Sequence, residues 1–169
     1  VDEMQDCEER DLALLRALRG RPDVDGDRVA LWGFSHGGCI ALRVAEREPA
    51  LAQVITFNAP TDAAATYQHL QSHPFGLLGY AGVLSRQLRG YVGGDPGQAP
   101  SAWADRSPIR GAQALQAPLL LVHGTSDEIV PVRQTCAFRD RLVESGRPLR
   151  ELRFREDGRP DPTPGPCGP

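Results

Sequence analysis

Residues 31–42 read LWGFSHGGCIAL. An apolar run ends at Phe34. Ser35 then stands between two glycines in Gly33-Phe34-Ser35-His36-Gly37, and the residues after it have helical spacing. A strand that turns into a helix through G-x-S-x-G has a mechanical rationale. The serine must take up a strained backbone conformation at the turn, and Gly33 and Gly37 leave room for strand and helix to approach. The hydroxyl is then lifted clear at the carboxyl end of the sheet. The helix N-terminus beneath it offers positive potential to an incoming oxyanion, with the His36 backbone N–H as one donor. Gly38 and Ala41 keep the helix slim against the sheet. The bare pattern also arises by chance in a glycine-rich chain; the strand before it and the helix after it give it meaning.

Outward from this turn, strands alternate with helices. Upstream, Met4, Cys7, Leu14, Leu15 and Leu18 share one apolar helical face over residues 4–19, which Gly20 and Pro22 close. DVDGDR (23–28) is turn chemistry. Its glycine is misplaced for a calcium loop and no closing glutamate follows. VALWGF (29–34) has little alternation, as in a strand buried on both faces. Residues 36–47 read as a helix, AQVITFNA (52–59) as a second strand and APLLLVHG (117–124) as a third. Residues 131–146 read as a helix opened by Pro131 and closed by Gly146, and LRELRFR (149–155) as a final strand. Residues 60–115 mix Gly, Pro, Ser and aromatics and read as an irregular helical insertion. The pattern predicts an α/β fold with a parallel sheet, flanking helices and an insertion after the second strand. One domain is expected over 1–156. The tail, 157–169, has five prolines in its last ten residues and is expected to be disordered.

A nucleophilic serine needs a base, and the base an orienting carboxylate, in the chain order Ser, acid, His. Asp127, in LLLVHGTSDEIVP, lies just past the third strand, at the sheet edge that carries the turn. Glu128 and Asp62 are lesser candidates. Of the four histidines, His36 neighbours Ser35 and His123 ends a strand, where it supports the loop. His69 and His73 are four apart, but Pro74 follows and no third ligand is evident. All four read as structural, and neither a metal site nor a cofactor is expected.

DVDGDRVALWGFSHGGCIAL and SPIRGAQALQAPLLLVHGTSDEIVPVRQTCAFRDRLVESG resemble the α/β-hydrolase fold. More narrowly, they are similar to the catalytic domain of prolyl oligopeptidase-type serine peptidases and their dienelactone-hydrolase-like and esterase relatives. The resemblance runs from about residue 8 to 158. It implies Ser35 as nucleophile, Asp127 as triad acid and a peptide or small-molecule ester as substrate. Dienelactone hydrolases usually carry cysteine at the nucleophile position, so Ser35 favours the peptidase and esterase branches.

The resemblance also calls for a histidine after the last strand. The chain has Phe154-Arg155-Glu156-Asp157-Gly158-Arg159, and no histidine follows position 123. Arginine cannot act as a general base. The fold further implies about four strands and a helix ahead of residue 4, including the loop that gives the second oxyanion donor; without them the strand at 29–34 becomes a sheet edge. The expectation is an incomplete copy, with the proline-rich tail reading as a shifted frame. Two alternatives stay open: a carboxylesterase or lipase with FGLLGYAGVL (75–84) lining an acyl pocket, and a non-catalytic module that retains the pocket.

Composition narrows the partners. The chain has 169 residues, 40% hydrophobic and 24% charged, with a net charge of −3. All 19 basic residues are arginine and the signs are interspersed, so neither a nucleic-acid surface nor a polybasic membrane patch is expected. No apolar run reaches the roughly 20 residues of a membrane span, and VDEMQDCEER does not read as a secretory signal. A cytoplasmic setting is the expectation. Cys7, Cys39, Cys136 and Cys167 are widely spaced and predict no disulfide framework.

Overall fold

Four parallel strands lie side by side in chain order: β1 (Ala30–Phe34), β2 (Gln53–Phe57), β3 (Leu119–Gly124) and β4 (Leu149–Phe154). The structure is a computed structural model of the chain and describes residues 3–72, 79–146 and 149–154. In β1 and β2 Trp32 pairs with Ile55 and Phe34 with Phe57; across β2 and β3 Phe57 pairs with Val122; across β3 and β4 Gly124 pairs with Phe154. The carboxyl ends of all four strands therefore line up at one edge. Parallel neighbours need crossovers. These are α2 (His36–Ala45) after β1, a helical stretch after β2, and α7 (Arg133–Glu144) after β3. The architecture is an open parallel α/β sheet with flanking helices, as the alternation of strands and helices predicts.

The core lies on one face of this sheet. Val54, Leu119 and Leu121 meet Leu12 and Leu15 of α1 (Glu3–Arg19), Leu42 and Ala45 of α2, Leu115, and Phe138 and Leu142 of α7. Emptying the Phe138 site to alanine would cost on the order of 3–5 kcal/mol. Gly146, at φ 64, follows the end of α7 in the left-handed form that lets a chain leave a helix. The DVDGDR segment is a turn: a single 3-10 turn at Gly26–Arg28, capped by Asp25, whose carboxylate accepts the Asp27 N–H.

Two expectations fail at the β1 edge. β1 is not buried on both faces: Leu31 and Gly33 turn toward the helices, but Trp32 and Phe34 are 67% and 61% exposed. The apolar face of α1 also splits. Leu12 and Leu15 enter the core, while Leu14 and Leu18 remain exposed. The reason is common to both. Leu14, Leu18, Leu31, Trp32, Gly37 and Ile40 line a groove of about 310 Å³ beside β1. Among the described residues, no further strand lies there.

Between β2 and β3 the described chain is helical, as the insertion reading requires: α3 (Ala63–Ser72), α4 (Tyr80–Val92), α5 (Pro100–Asp105) and α6 (Pro108–Gly111). Trp103, fully buried, anchors it. Its ring centroid lies 5.0 Å from that of Tyr67 and its indole N–H donates to Gly94 O at 3.1 Å. The Tyr67 hydroxyl donates to Asp95 at 2.6 Å, and that bond, with burial, holds the phenol above its ordinary pKa. Gln134 fixes the insertion to α7. Its Oε1 accepts the Thr61 and Asp62 N–H groups, each at 3.0 Å, and its Nε2 donates to Thr66 Oγ1 at 2.8 Å. Cys39 is a buried thiol in no disulfide, its Sγ 3.8 Å from Arg106 O. Cys136, buried in α7, is disulfide-bonded, contrary to the spacing argument; its partner's side chain lies outside the described residues. No described helix is long and apolar enough to cross a membrane. The proposed tail at 157–169 and His73 also lie outside the described residues.

Candidate active site at the carboxyl edge of the sheet

Ser35 is the residue between β1 and α2, and its backbone is the most informative in the chain. It sits at φ 52 and ψ −122, a region that L-residues avoid and that costs on the order of 1–3 kcal/mol. Serine at a helix N-cap ordinarily has extended torsions and lends its oxygen to the first turn. Here it makes no such side-chain bond. The backbone is held from both sides: the Ser35 N–H donates to Phe57 O at 2.8 Å, and Ser35 O accepts from Gly38 N at 2.9 Å and Cys39 N at 3.2 Å.

The glycines explain why the turn closes. A Cβ at Gly33 would stand 2.3 Å from Gly37 O and 2.6 Å from Gly38 N, so no side chain fits. A Cβ at Gly38 would lie 2.7 Å from Ala59 Cβ, which keeps α2 against β2. Gly37 departs from expectation. Nothing lies within 4 Å of a Cβ there, because it faces the open groove beside β1. His36 opens α2, where the first N–H groups of a helix have no partner within the helix. With Cys39, Thr66 and Arg106 it also lines a cavity of about 30 Å³ between α2 and the insertion.

Asp127 lies two strands away, in the loop after β3. Adjacent strands are about 4.8 Å apart, so the β1 and β3 ends are separated by on the order of 10 Å. The carboxylate is partly buried and held at both oxygens. Oδ1 accepts the Ile129 and Val130 N–H groups, each at 2.9 Å, and Oδ2 accepts the Asn58 side-chain amide at 2.5 Å. Asn58 directly follows Phe57, the residue that pins Ser35, so two hydrogen bonds link the Ser35 backbone to the Asp127 carboxylate through β2. Sequence reasoning passed over Asn58. Its one local signal is the run of polar Asn after five strand residues.

Of the lesser acids, Asp62 caps α3, its Oδ1 accepting Ala65 N at 2.9 Å. The backbone carbonyl of Glu128, not its carboxylate, accepts from His69 Nε2 at 2.7 Å. His123 is fully buried, with Nδ1 2.7 Å from Thr135 Oγ1 and Nε2 2.7 Å from Val130 O. A carbonyl only accepts, so Nε2 carries the proton and donates it there. Nε2 also lies 3.9 Å from Asp127 Oδ2. His123 ties the Asp127 loop down, as its position suggested. Among the described residues, no cluster of His, Cys, Asp and Glu could hold a metal ion.

Residues 3–158 match the prolyl oligopeptidase family. The chain belongs to the prolyl oligopeptidase family. Among its curated relatives, the uncharacterized peptidase YtmA of Bacillus subtilis is 28% identical over 135 residues, covering 79% of the chain and 48% of that protein. A probable dipeptidyl peptidase 4 of Aspergillus clavatus is 26% identical over 125 residues, covering 74% of the chain and 14% of its own length. Among solved structures, a puromycin-hydrolyzing peptidase of Mycobacterium tuberculosis superposes with a TM-score of 0.73 at 27% identity, over 85% of the chain and 20% of that protein. The chain thus spans about half the length of YtmA and a much smaller share of the other two proteins.

Proposed function

We propose that the chain carries the acyl-transfer site of a serine hydrolase that cleaves peptide bonds, with esters as the alternative substrate. Ser35 Oγ attacks the carbonyl carbon. The His36 N–H donates to the oxygen as it becomes an oxyanion, and the α2 N-terminus adds positive potential. Asp127 would orient a histidine, which would take the serine proton and return it to the leaving group. The observation that carries this reading is the Ser35 backbone, at φ 52 and ψ −122 with its hydroxyl unused as a cap. A serine kept only to cap α2 has no reason to bear that strain.

The base is the open part of the site. Among the described residues, His123 and His69 are engaged with the loop around Asp127, and the position the family pattern assigns to histidine is Arg159. Loss of one triad member leaves only the residual catalysis of the rest. Hydrolysis of p-nitrophenyl acetate by the chain is therefore expected to be very slow and to disappear in Ser35→Ala. Fast turnover that Ser35→Ala abolishes would place a working base within these residues. The second reading, a non-catalytic module that keeps the pocket, rests on that missing base; rapid reaction with a fluorophosphonate would exclude it. A single domain over 1–156, with the insertion at about 60–115, and a cytoplasmic setting belong to the same proposal. Limited proteolysis and cell fractionation test them.

A further inference from the structure

We propose that Asn58 is a positioning residue for the Asp127 carboxylate, fixing which oxygen lone pair is presented to a partner at the open edge of the sheet. This rests on reading Asp127 as the triad acid.

An ionised carboxylate offers about four acceptor sites. Two N–H groups, from Ile129 and Val130, occupy Oδ1. On Oδ2 the Asn58 amide takes a third at 2.5 Å. One lone pair of Oδ2 remains for the N–H of an imidazole. Without Asn58, Oδ2 would have no side-chain donor at hydrogen-bond distance among the described residues, because His123 Nε2 is 3.9 Å away and donates to Val130 O. The carboxylate would then be fixed through one oxygen alone.

The orientation of the Asn58 amide is itself determined. Its Oδ1 accepts the Gly124 N–H at 3.2 Å, so Nδ2 is the end facing Asp127. Gly124 ends β3 and Asp127 N donates to Gly124 O at 3.2 Å. Asn58 therefore grips both the strand end and the carboxylate that the loop carries. Its backbone is anchored as well, with the N–H donating to Val122 O at 2.9 Å and φ at 49. Few non-glycine residues accept that torsion, and asparagine is one of them. A residue that tolerates the left-handed form, donates through an amide and accepts at its other end meets all three requirements.

The test follows the Asp127 carboxyl carbon by 13C NMR in the full chain, with the signal assigned through Asp127→Asn. Asn58→Gly accepts the same φ but removes the amide. It is expected to stay folded and to shift and broaden the Asp127 carboxyl resonance, because the donor to Oδ2 is lost and the carboxylate is held through Oδ1. Asn58→Asp also tolerates the torsion and replaces the donor by a second carboxylate. It is expected to move the same resonance. A merely structural role would lower the melting temperature and leave the Asp127 resonance where it is. An unchanged resonance in either folded variant overturns the proposal. Added imidazole, standing in for the triad histidine, is expected to speed fluorophosphonate labelling of Ser35, and to do so less in Asp127→Asn. If the resonance moves as expected while imidazole speeds labelling equally in both proteins, the positioning role stands and the reading of Asp127 as triad acid fails.

Discussion

Ser35 combines a disfavoured torsion with an unused capping hydroxyl. That strain has a measurable consequence. Ser35→Gly keeps the turn and removes the conformational cost, so it is expected to raise stability to urea by about 1 kcal/mol. A Ser35→Gly variant no more stable than the parent in equilibrium unfolding would mean that the torsion carries no strain. The elbow could be read from the sequence because Gly33 and Gly38 leave a local signature, and the structure shows what a side chain at each would strike. Asn58 could not. Its role depends on residues 66 and more positions away, at Gly124 and Asp127, and an asparagine after a strand looks like any turn residue. Gly37 shows the converse error, a motif glycine with no crowding around it in this fold.

Helices and strands were legible where periodicity is local. β1, β2 and β3 and helices α1, α2 and α7 stand within a few residues of their expected bounds, because apolar spacing, Pro131 and Gly146 mark them. Periodicity says that a face is apolar, however, without saying what covers it. The split of Leu12 and Leu15 from Leu14 and Leu18, and the exposure of Trp32, depend on which neighbours lie beside the element. The link between the insertion and the sheet was also hidden, since it runs through a buried glutamine. Gln134→Leu would leave the Thr61 and Asp62 N–H groups without their acceptor. Each loss costs about 1–3 kcal/mol. We expect a net destabilisation of about 2–4 kcal/mol, read as a melting temperature lower by roughly 2–4 °C per kcal/mol. A change within experimental error would show that water or a neighbour replaces the amide.

At the scale of the whole molecule, the edge of β1 governs solution behaviour. Its strand is uncharged, its outward residues are Trp32 and Phe34, and an apolar groove runs alongside. Such an edge favours pairing with other chains. The chain is expected to self-associate with rising concentration in light scattering, and Trp32→Arg to suppress this while leaving the far-UV circular dichroism unchanged. Association that Trp32→Arg does not alter would place the sticky surface elsewhere. The central claim concerns Ser35, and it is tested most directly by fluorophosphonate labelling of the chain, with the adduct located by peptide mass spectrometry. The prediction is a slowly formed adduct on Ser35 that vanishes in Ser35→Ala. An adduct on another serine, or labelling unaffected by Ser35→Ala, would contradict the assignment of the elbow as the reacting site.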